Sequence, residues 1–257
     1  MVPEPEAWSN RPVDQWEGYD AATYGAHVAA VYDEVYRADP AAVTCLAQLA
    51  GGGRVLELGV GTGRLALPLA ATGLKVQGID ASEAMVDRLR AKPSGDTIPV
   101  TIGDFADVGV NGEFALVFVA FNTFFVLLTP DEQARCLANV ASRLAAGGRF
   151  VLEAFVPDPS RFVRRHHLGI SGFGAGGVQL NVSGHDREGQ RVESLVIHVS
   201  RAGEVHTWPV RLRYSYPTEL DAMAAAAGLT LEHRWSSWRQ DPFDAGSSTH
   251  VSVYVRT

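Results

Sequence analysis

A nearly continuous apolar run, FALVFVAF at 114–121, and shorter strand-like runs, the β-rich RVLEL at 54–58 and KVQGID at 75–80, alternate with stretches of helical periodicity. A strand without a polar face has no place on a solvated sheet surface. It must be covered on both sides, which is the situation of parallel strands joined by crossover helices. The helices expected between them are 64–72, closed by Gly73, then 82–91, with a third strand at 100–103. A further helix at 130–146 has Gly147 and Gly148 as its stop before a strand at 149–155. Upstream, residues 21–49 read as helical, with Tyr24, Val28, Val31 or Tyr32, and Val35 at spacings of three and four. The second helix of that stretch, 40–50, runs into Gly51, Gly52 and Gly53.

The alternation breaks at Val156-Pro157-Asp158-Pro159. Residues 160–176 are basic and then glycine-rich. Three period-two runs follow at 178–183, 191–200 and 205–216, which read as an antiparallel meander. The helix–strand pattern then resumes with a helix at 217–227 and strands at 229–235 and 249–256. The expected organisation is an α/β domain with a doubly wound, mostly parallel sheet formed by 21–156 and 217–257. It carries a β-insert at 157–216 and is preceded by a flap at 1–20 that holds Trp8 and Trp16.

Charge narrows the partners. Across 257 residues, 22 Lys+Arg stand against 29 Asp+Glu, a net charge of −7, the wrong sign for a protein that replaces phosphate counterions on a duplex. No run approaches the roughly 18 apolar residues of a membrane span. The first twenty residues have neither the basic nor the apolar region of a signal peptide, so the expected location is cytoplasmic. Cys45 and Cys136, both in helical stretches, offer no disulfide framework and no zinc cage, and no metal is expected.

The chemistry begins at Glu57-Leu58-Gly59-Val60-Gly61-Thr62-Gly63. A glycine turn between a first strand and its helix lets backbone approach a ligand closely, and the helix start offers free N–H groups. Asp80, at the end of the second strand, is placed to accept hydrogen bonds from a ribose diol. The spacing is G-x-G-x-G, and Arg64 stands where a dinucleotide fingerprint has its third glycine. By itself, that turn leaves open a plain close turn, a nicotinamide cofactor or another adenosyl ligand.

The strings VLELGVGTGRLALPLA, GIDASEAMVDRLR and GDF at 103–105, in that order, resemble the class I S-adenosylmethionine-dependent methyltransferases. The resemblance covers about 49–155. The β-insert is similar to that of antibiotic-tailoring enzymes, including amino-sugar N-methyltransferases. The resemblance implies S-adenosylmethionine as cofactor. Glu57, Gly59, Gly61 and Gly63 would face its methionine part, Asp80 its ribose, and Ala81 and Met85 its adenine. Asp104 and the Phe105 N–H would meet the adenine edge. Ala120 and Phe121 would lie beside the sulfonium, and Tyr24 would form a lid over the methionine moiety.

In-line displacement from a sulfonium needs alignment and dryness more than a dedicated base. Candidates for a base are Tyr24, His166, His167, Tyr216 and His250. Candidates to hold the acceptor are Trp16, Asn122, Phe124, Tyr214 and Tyr216, with the two tyrosines expected to share one strand face. The expected reaction is N-methylation of a small natural product, with a homo-oligomer through the β-insert as a further expectation. The alternatives are O-methylation of a hydroxyl, or a non-catalytic module that binds the cofactor.

Overall fold

The computed structural model describes residues 18–158, 166–174 and 177–256. Two short helices, α1 (Thr23–Val28) and α2 (Tyr32–Val35), lead into α3 (Pro40–Ala50). Asp39 caps α3, accepting from the Ala41 N–H at 2.8 Å, with Pro40 at the first helical position and Gly51 closing the far end at φ +55°. The expected helical stretch therefore breaks twice, between Val28 and Tyr32 and between Val35 and Pro40.

The main sheet contains β1 (Val55–Leu58), β2 (Val76–Asp80), β3 (Val100–Ile102), β4 (Phe114–Val119), β5 (Leu144–Phe155), β10 (Leu229–Trp235) and β11 (Thr249–Arg256). Their spatial order is β10-β11-β5-β4-β1-β2-β3, with β11 antiparallel to both its neighbours and the remaining pairs parallel. The crossovers are α4 (Ala66–Ala71), α5 (Glu83–Arg90) and α6 (Pro130–Arg143), the last held by a reciprocal Thr129–Glu132 capping box. β1 is buried at every position, and the sheet separates two apolar cores, one around Phe114, Phe124 and Phe150, the other around Leu46, Leu65 and Phe118.

Two boundaries differ from the sequence pattern. The helix expected to end at Gly147-Gly148 ends at Arg143, and β5 runs through both glycines. There a Cβ on Gly148 would stand 2.9 Å from the Ala145 carbonyl oxygen and 3.0 Å from that of Phe114, so the chain passes only because the side chain is missing. The insert has four strands rather than three: β6 (His166–Gly174), β7 (Gly177–Asp186), β8 (Arg191–Val199) and β9 (Val205–Arg213), paired in sequence order. Its glycine-rich composition gives little strand signal, but β6 pairs along its length with β7, with one register shift between Ile170 and Gly172. The expected third run stops at Arg213, and Tyr216 is already the cap of α7 (Pro217–Ala226).

A third apolar cluster joins the two sheets. Val28, Val31 and Tyr32 of the N-terminal helices pack with Val196 of β8 and Trp208 of β9, and with Met85 of α5.

Candidate active site

β1 pairs with β2 on one side and β4 on the other, so the carboxyl ends of these strands open a crevice where the strand order reverses. A cavity of about 570 Å³ lies there, within the range of small-molecule sites. At its floor the turn after β1 uses glycine for conformation at Gly59 (φ +73°) and Gly61 (φ +54°). Asp80 stitches the floor together. One carboxylate oxygen accepts from the Gly61 N–H at 2.7 Å and the other from the Ser82 N–H at 2.9 Å. Each oxygen keeps a second lone pair for a ligand hydroxyl. Burial raises the Asp80 pKa, against those two N–H donors. Ser82 in turn caps α5, which brings Met85 against Gly61. Asp104 accepts from the Ala106 N–H at 2.8 Å, leaving its other oxygen without a protein donor among the described contacts.

Glu57 is the electrostatic anomaly. Only 5% exposed, it has one carboxyl oxygen with no partner, and burial pushes its pKa up to about 8, with Arg64 working against that rise and Asp80 adding to it.

Above the floor stands an aromatic wall. The Tyr36 ring packs against Tyr32 at 4.9 Å and edge-on to Phe121 at 5.1 Å, and Tyr24 hydrogen-bonds Tyr36. The Arg64 guanidinium lies 5.1 Å from the Phe121 ring centre. Polar ties anchor this wall to the glycine turn: Thr62 donates to Asp33 at 2.7 Å, and Lys92 bridges Asp33 and the Thr62 carbonyl at 2.7 Å each. Phe121 and Asn122 take φ of +57° and +65°, unusual for residues with side chains. Three bonds to β5 hold that turn: Phe121 N–H to the Glu153 carboxylate (2.7 Å), Asn122 N–H to the Glu153 carbonyl (3.1 Å), and Phe155 N–H to the Asn122 side chain (2.7 Å).

The opposite side is the inner face of the four-stranded sheet, contributing Ser171, Gln179, Asn181, Ser194, Val196, Trp208, Val210 and Leu212. None of these is charged. Among the described residues of the lining, five carboxyl side chains (Asp20, Glu57, Asp80, Asp104 and Glu132) face a single cation, Arg64.

Of the residues expected at the cofactor, Tyr24, Glu57, Gly59, Gly61, Asp80, Ala81, Met85, Asp104, Phe105, Ala120 and Phe121 all line this cavity. Gly63 does not. Its missing Cβ makes room for Leu89, which would lie 2.3 Å away, so it serves the packing of α4 and α5. Asn122 lines the cavity, but Phe124 is fully buried in the core, because the single 3-10 turn of Thr123–Val126 presents Thr123 and Val126 instead. Tyr214 and Tyr216 share no strand face. Tyr214 leaves the sheet after β9, packs against Phe155 and meets His185 at 2.9 Å, and Tyr216 begins α7; neither lines the cavity. His166 and His167 are exposed on β6. His250 is buried within β11 against Ser252, its pKa pushed down to about 4 by desolvation. None of the three reaches the cavity. Trp8 and Trp16 fall outside the described residues. The sequence reading missed Asn181 and Trp208; the alternation of VHTWPVRLR, which puts Trp208, Val210 and Leu212 on one face, was the available signal.

A doubly wound sheet with an acid-lined cavity of about 570 Å³ at its switch point is the arrangement in which open α/β sheets bind small ligands. Residues 55–148 match the methyltransferase domain family. The chain is 40% identical to the CcbJ methyltransferase of Streptomyces caelestis over 92% of its own length and 98% of that structure, with a TM-score of 0.84. It is 29% identical to the cypemycin N-terminal methyltransferase of a Streptomyces species, covering 80% of this chain and 84% of that one. It is 25% identical to SAM-bound CalS10, an amino pentose methyltransferase of Micromonospora echinaspora, covering 94% and 93% with a TM-score of 0.60. The chain belongs to the class I S-adenosylmethionine-dependent methyltransferases. It is an enzyme, with S-adenosylmethionine as its cofactor. No helix among the described residues is long and apolar enough to cross a membrane, and no group of three or more metal-ligating side chains occurs among them.

Proposed function

We propose that the protein N-methylates a small natural-product acceptor. The observation that carries this reading is the partition of the cavity: carboxyl groups at the glycine-turn floor, and uncharged side chains, none of them histidine, where the four-stranded sheet lines it among the described residues. A hydroxyl acceptor needs a base in contact with it, and His166, His167 and His250 all lie away from the cavity. An amine needs only to arrive unprotonated, a state that a dry, uncharged surface favours. The names of the cypemycin N-terminal and amino pentose methyltransferases support nitrogen as the acceptor atom and antibiotic tailoring as the setting.

S-adenosylmethionine, when bound, supplies a methyl group on a positively charged sulfur. Asp80 would take the ribose hydroxyls on its free lone pairs, and Asp104 with the Phe105 N–H the adenine edge, while Ala81 and Met85 flank the ring. The unpartnered oxygen of Glu57 would face the methionine part, beside Gly59 and Gly61. The Tyr24, Tyr36 and Phe121 rings exclude water from the sulfur, and the phenols stay protonated because desolvation raises their pKa values. Asn122, fixed by its bond to β5, edges the path of the incoming nitrogen lone pair. As the nitrogen–carbon bond forms, the carbon–sulfur pair returns to sulfur, and the alkylated ammonium loses its proton on release to water.

In this reading the insert at 157–216 roofs the acceptor. Its outer face suits a second copy of the chain. The row Leu168–Val182–Leu195–Pro209 and the row Ile170–Leu180–Ile197 turn aliphatic side chains outward, with Leu168 and Ile170 more than two-thirds exposed. Four strands of nine or ten residues give a face of roughly 600 Å² from strand spacing and rise, close to one half of a standard interface. Light scattering of wild type and Ile170→Glu tests this: a dimer that the charge dissociates supports it, and a monomeric wild type refutes it.

The acceptor atom is tested by incubating the enzyme with S-adenosylmethionine and matched panels of primary amines, phenols and alcohols. A gain of one methyl group confined to the amines supports the reading. Transfer to hydroxyls alone overturns it.

A further inference from the structure

Three polar atoms on the inner face of the four-stranded sheet are buried and without a hydrogen-bond partner: Asn181 Oδ1, His198 Nδ1 and Trp208 Nε1. Trp208 is 1% exposed. Buried polar groups in folded proteins are almost always satisfied, and each one left unpaired costs about 1–3 kcal/mol. The register places two of them in one row. Asn181 on β7 lies opposite Val196 on β8, which lies opposite Trp208 on β9, so the two polar residues flank an aliphatic floor one strand to either side. At about 4.8 Å between strands their Cα atoms stand roughly 10 Å apart, and both line the cavity. The pair is chemically complementary. An indole N–H only donates, whereas the Asn181 oxygen accepts.

We infer that Asn181 and Trp208 form a specificity site that holds an uncharged donor–acceptor group of the methyl acceptor, a hydroxyl or an amide, over Val196. The indole donates to the ligand oxygen and the ligand proton goes to Asn181. The neighbouring row carries Gln179, His198 and His206, without a lysine, arginine or carboxylate, and of the three Gln179 lines the cavity. A phosphate or carboxylate on the acceptor therefore finds no counter-charge here, and an unfunctionalised hydrocarbon leaves both polar atoms unpaired. The inference rests on the proposed reading that a small acceptor occupies this cavity, and it adds what part of that acceptor the sheet recognises.

The test uses enzyme labelled with ¹⁵N in tryptophan, loaded with S-adenosylhomocysteine, and titrated with 4-aminocyclohexanol, alaninamide or cyclohexylamine. Trp208→Phe assigns the Trp208 indole resonance. The expected result is a downfield shift of that resonance with the alcohol or the amide, and binding five- to tenfold tighter than that of cyclohexylamine. Whichever of the two binds distinguishes a polyol-like from a peptide-like acceptor. Trp208→Phe and Asn181→Leu should each reduce the preference to within about twofold while S-adenosylhomocysteine affinity is retained. Equal binding of cyclohexylamine, or an unmoved Trp208 resonance with all three probes while S-adenosylhomocysteine is bound, overturns the inference. A Trp208 response without transfer of methyl to any amine would refute the N-methylation reading and leave the specificity site standing.

Discussion

Replacing Glu57 by glutamine removes a charge that the fold strains to keep out. The carboxyl group is buried at the end of β1 with one oxygen unpartnered, and its pKa rises from 4.5 to about 8. Because the folded value lies above the unfolded one, the native state holds a proton that the unfolded chain has released throughout the interval from about 4.5 to 8. The stability associated with that proton is fully present below pH 4.5 and is lost as pH rises through 8. Each unit within the interval costs about 1.4 kcal/mol, so between pH 5 and 7 wild type loses on the order of 3 kcal/mol from this group. For a chain of this size that corresponds to roughly 6–12 °C in Tm. Glutamine carries no titrating proton, and the other ionisable groups cancel when the two proteins are compared at each pH. Urea unfolding of ligand-free wild type and Glu57→Gln at pH 5, 6, 7 and 8 should give a difference that moves steadily in favour of the variant. Parallel stability curves across that range would refute the buried, protonated carboxyl and with it the electrostatic account of the cavity floor.

Asp80→Asn should weaken S-adenosylhomocysteine binding ten- to hundredfold in calorimetric titration, from the loss of charge-assisted bonds worth about 1.5–3 kcal/mol; unchanged affinity would remove Asp80 from the ribose role. His166→Ala, His167→Ala and His250→Ala, made singly, should each alter kcat less than tenfold, whereas a base would cost about 10²–10⁴; such a loss in any of them would restore the O-methylation mechanism. Gly63→Ala should lower stability by about 1–3 kcal/mol, since its φ is +78° and the new methyl meets Leu89. Cofactor affinity of the folded fraction should be preserved, and a selective loss of affinity would return Gly63 to the binding surface.

The half of the cavity proposed for the cofactor was legible as a cluster in the chain because its parts are near in sequence and written in unambiguous residue types. Glu57, Gly59, Gly61 and Asp80 sit on consecutive β–α connections, and the parallel sheet that places them is itself visible as runs such as FALVFVAF. The acceptor half is built by contacts far apart in sequence. Val196 and Trp208 reach the site only because β8 and β9 pair and then pack on helices near residue 30. Where the reading extrapolated a local rule past an element's end, it failed. Alternation carried Tyr214 and Tyr216 onto a strand that stops at Arg213, and aromatic character carried Phe124 to a surface that a tight 3-10 turn denies it. Glycine-rich composition concealed β6, because a strand that earns its order from a neighbour's ladder needs little propensity of its own.

The N-terminal helices share one apolar cluster with the insert and are bolted to the glycine turn through Asp33, Thr62 and Lys92. Acceptor preference is therefore not a detachable module. A chimera that imports only the four strands from another family member would set foreign side chains against Val28, Val31 and Tyr32, and the misfit would pass through those helices into the glycine turn proposed to hold the cofactor. Divergence toward new acceptors along this lineage would then proceed by paired replacements, one on β8 or β9 and one near residue 30, rather than by wholesale exchange of the insert.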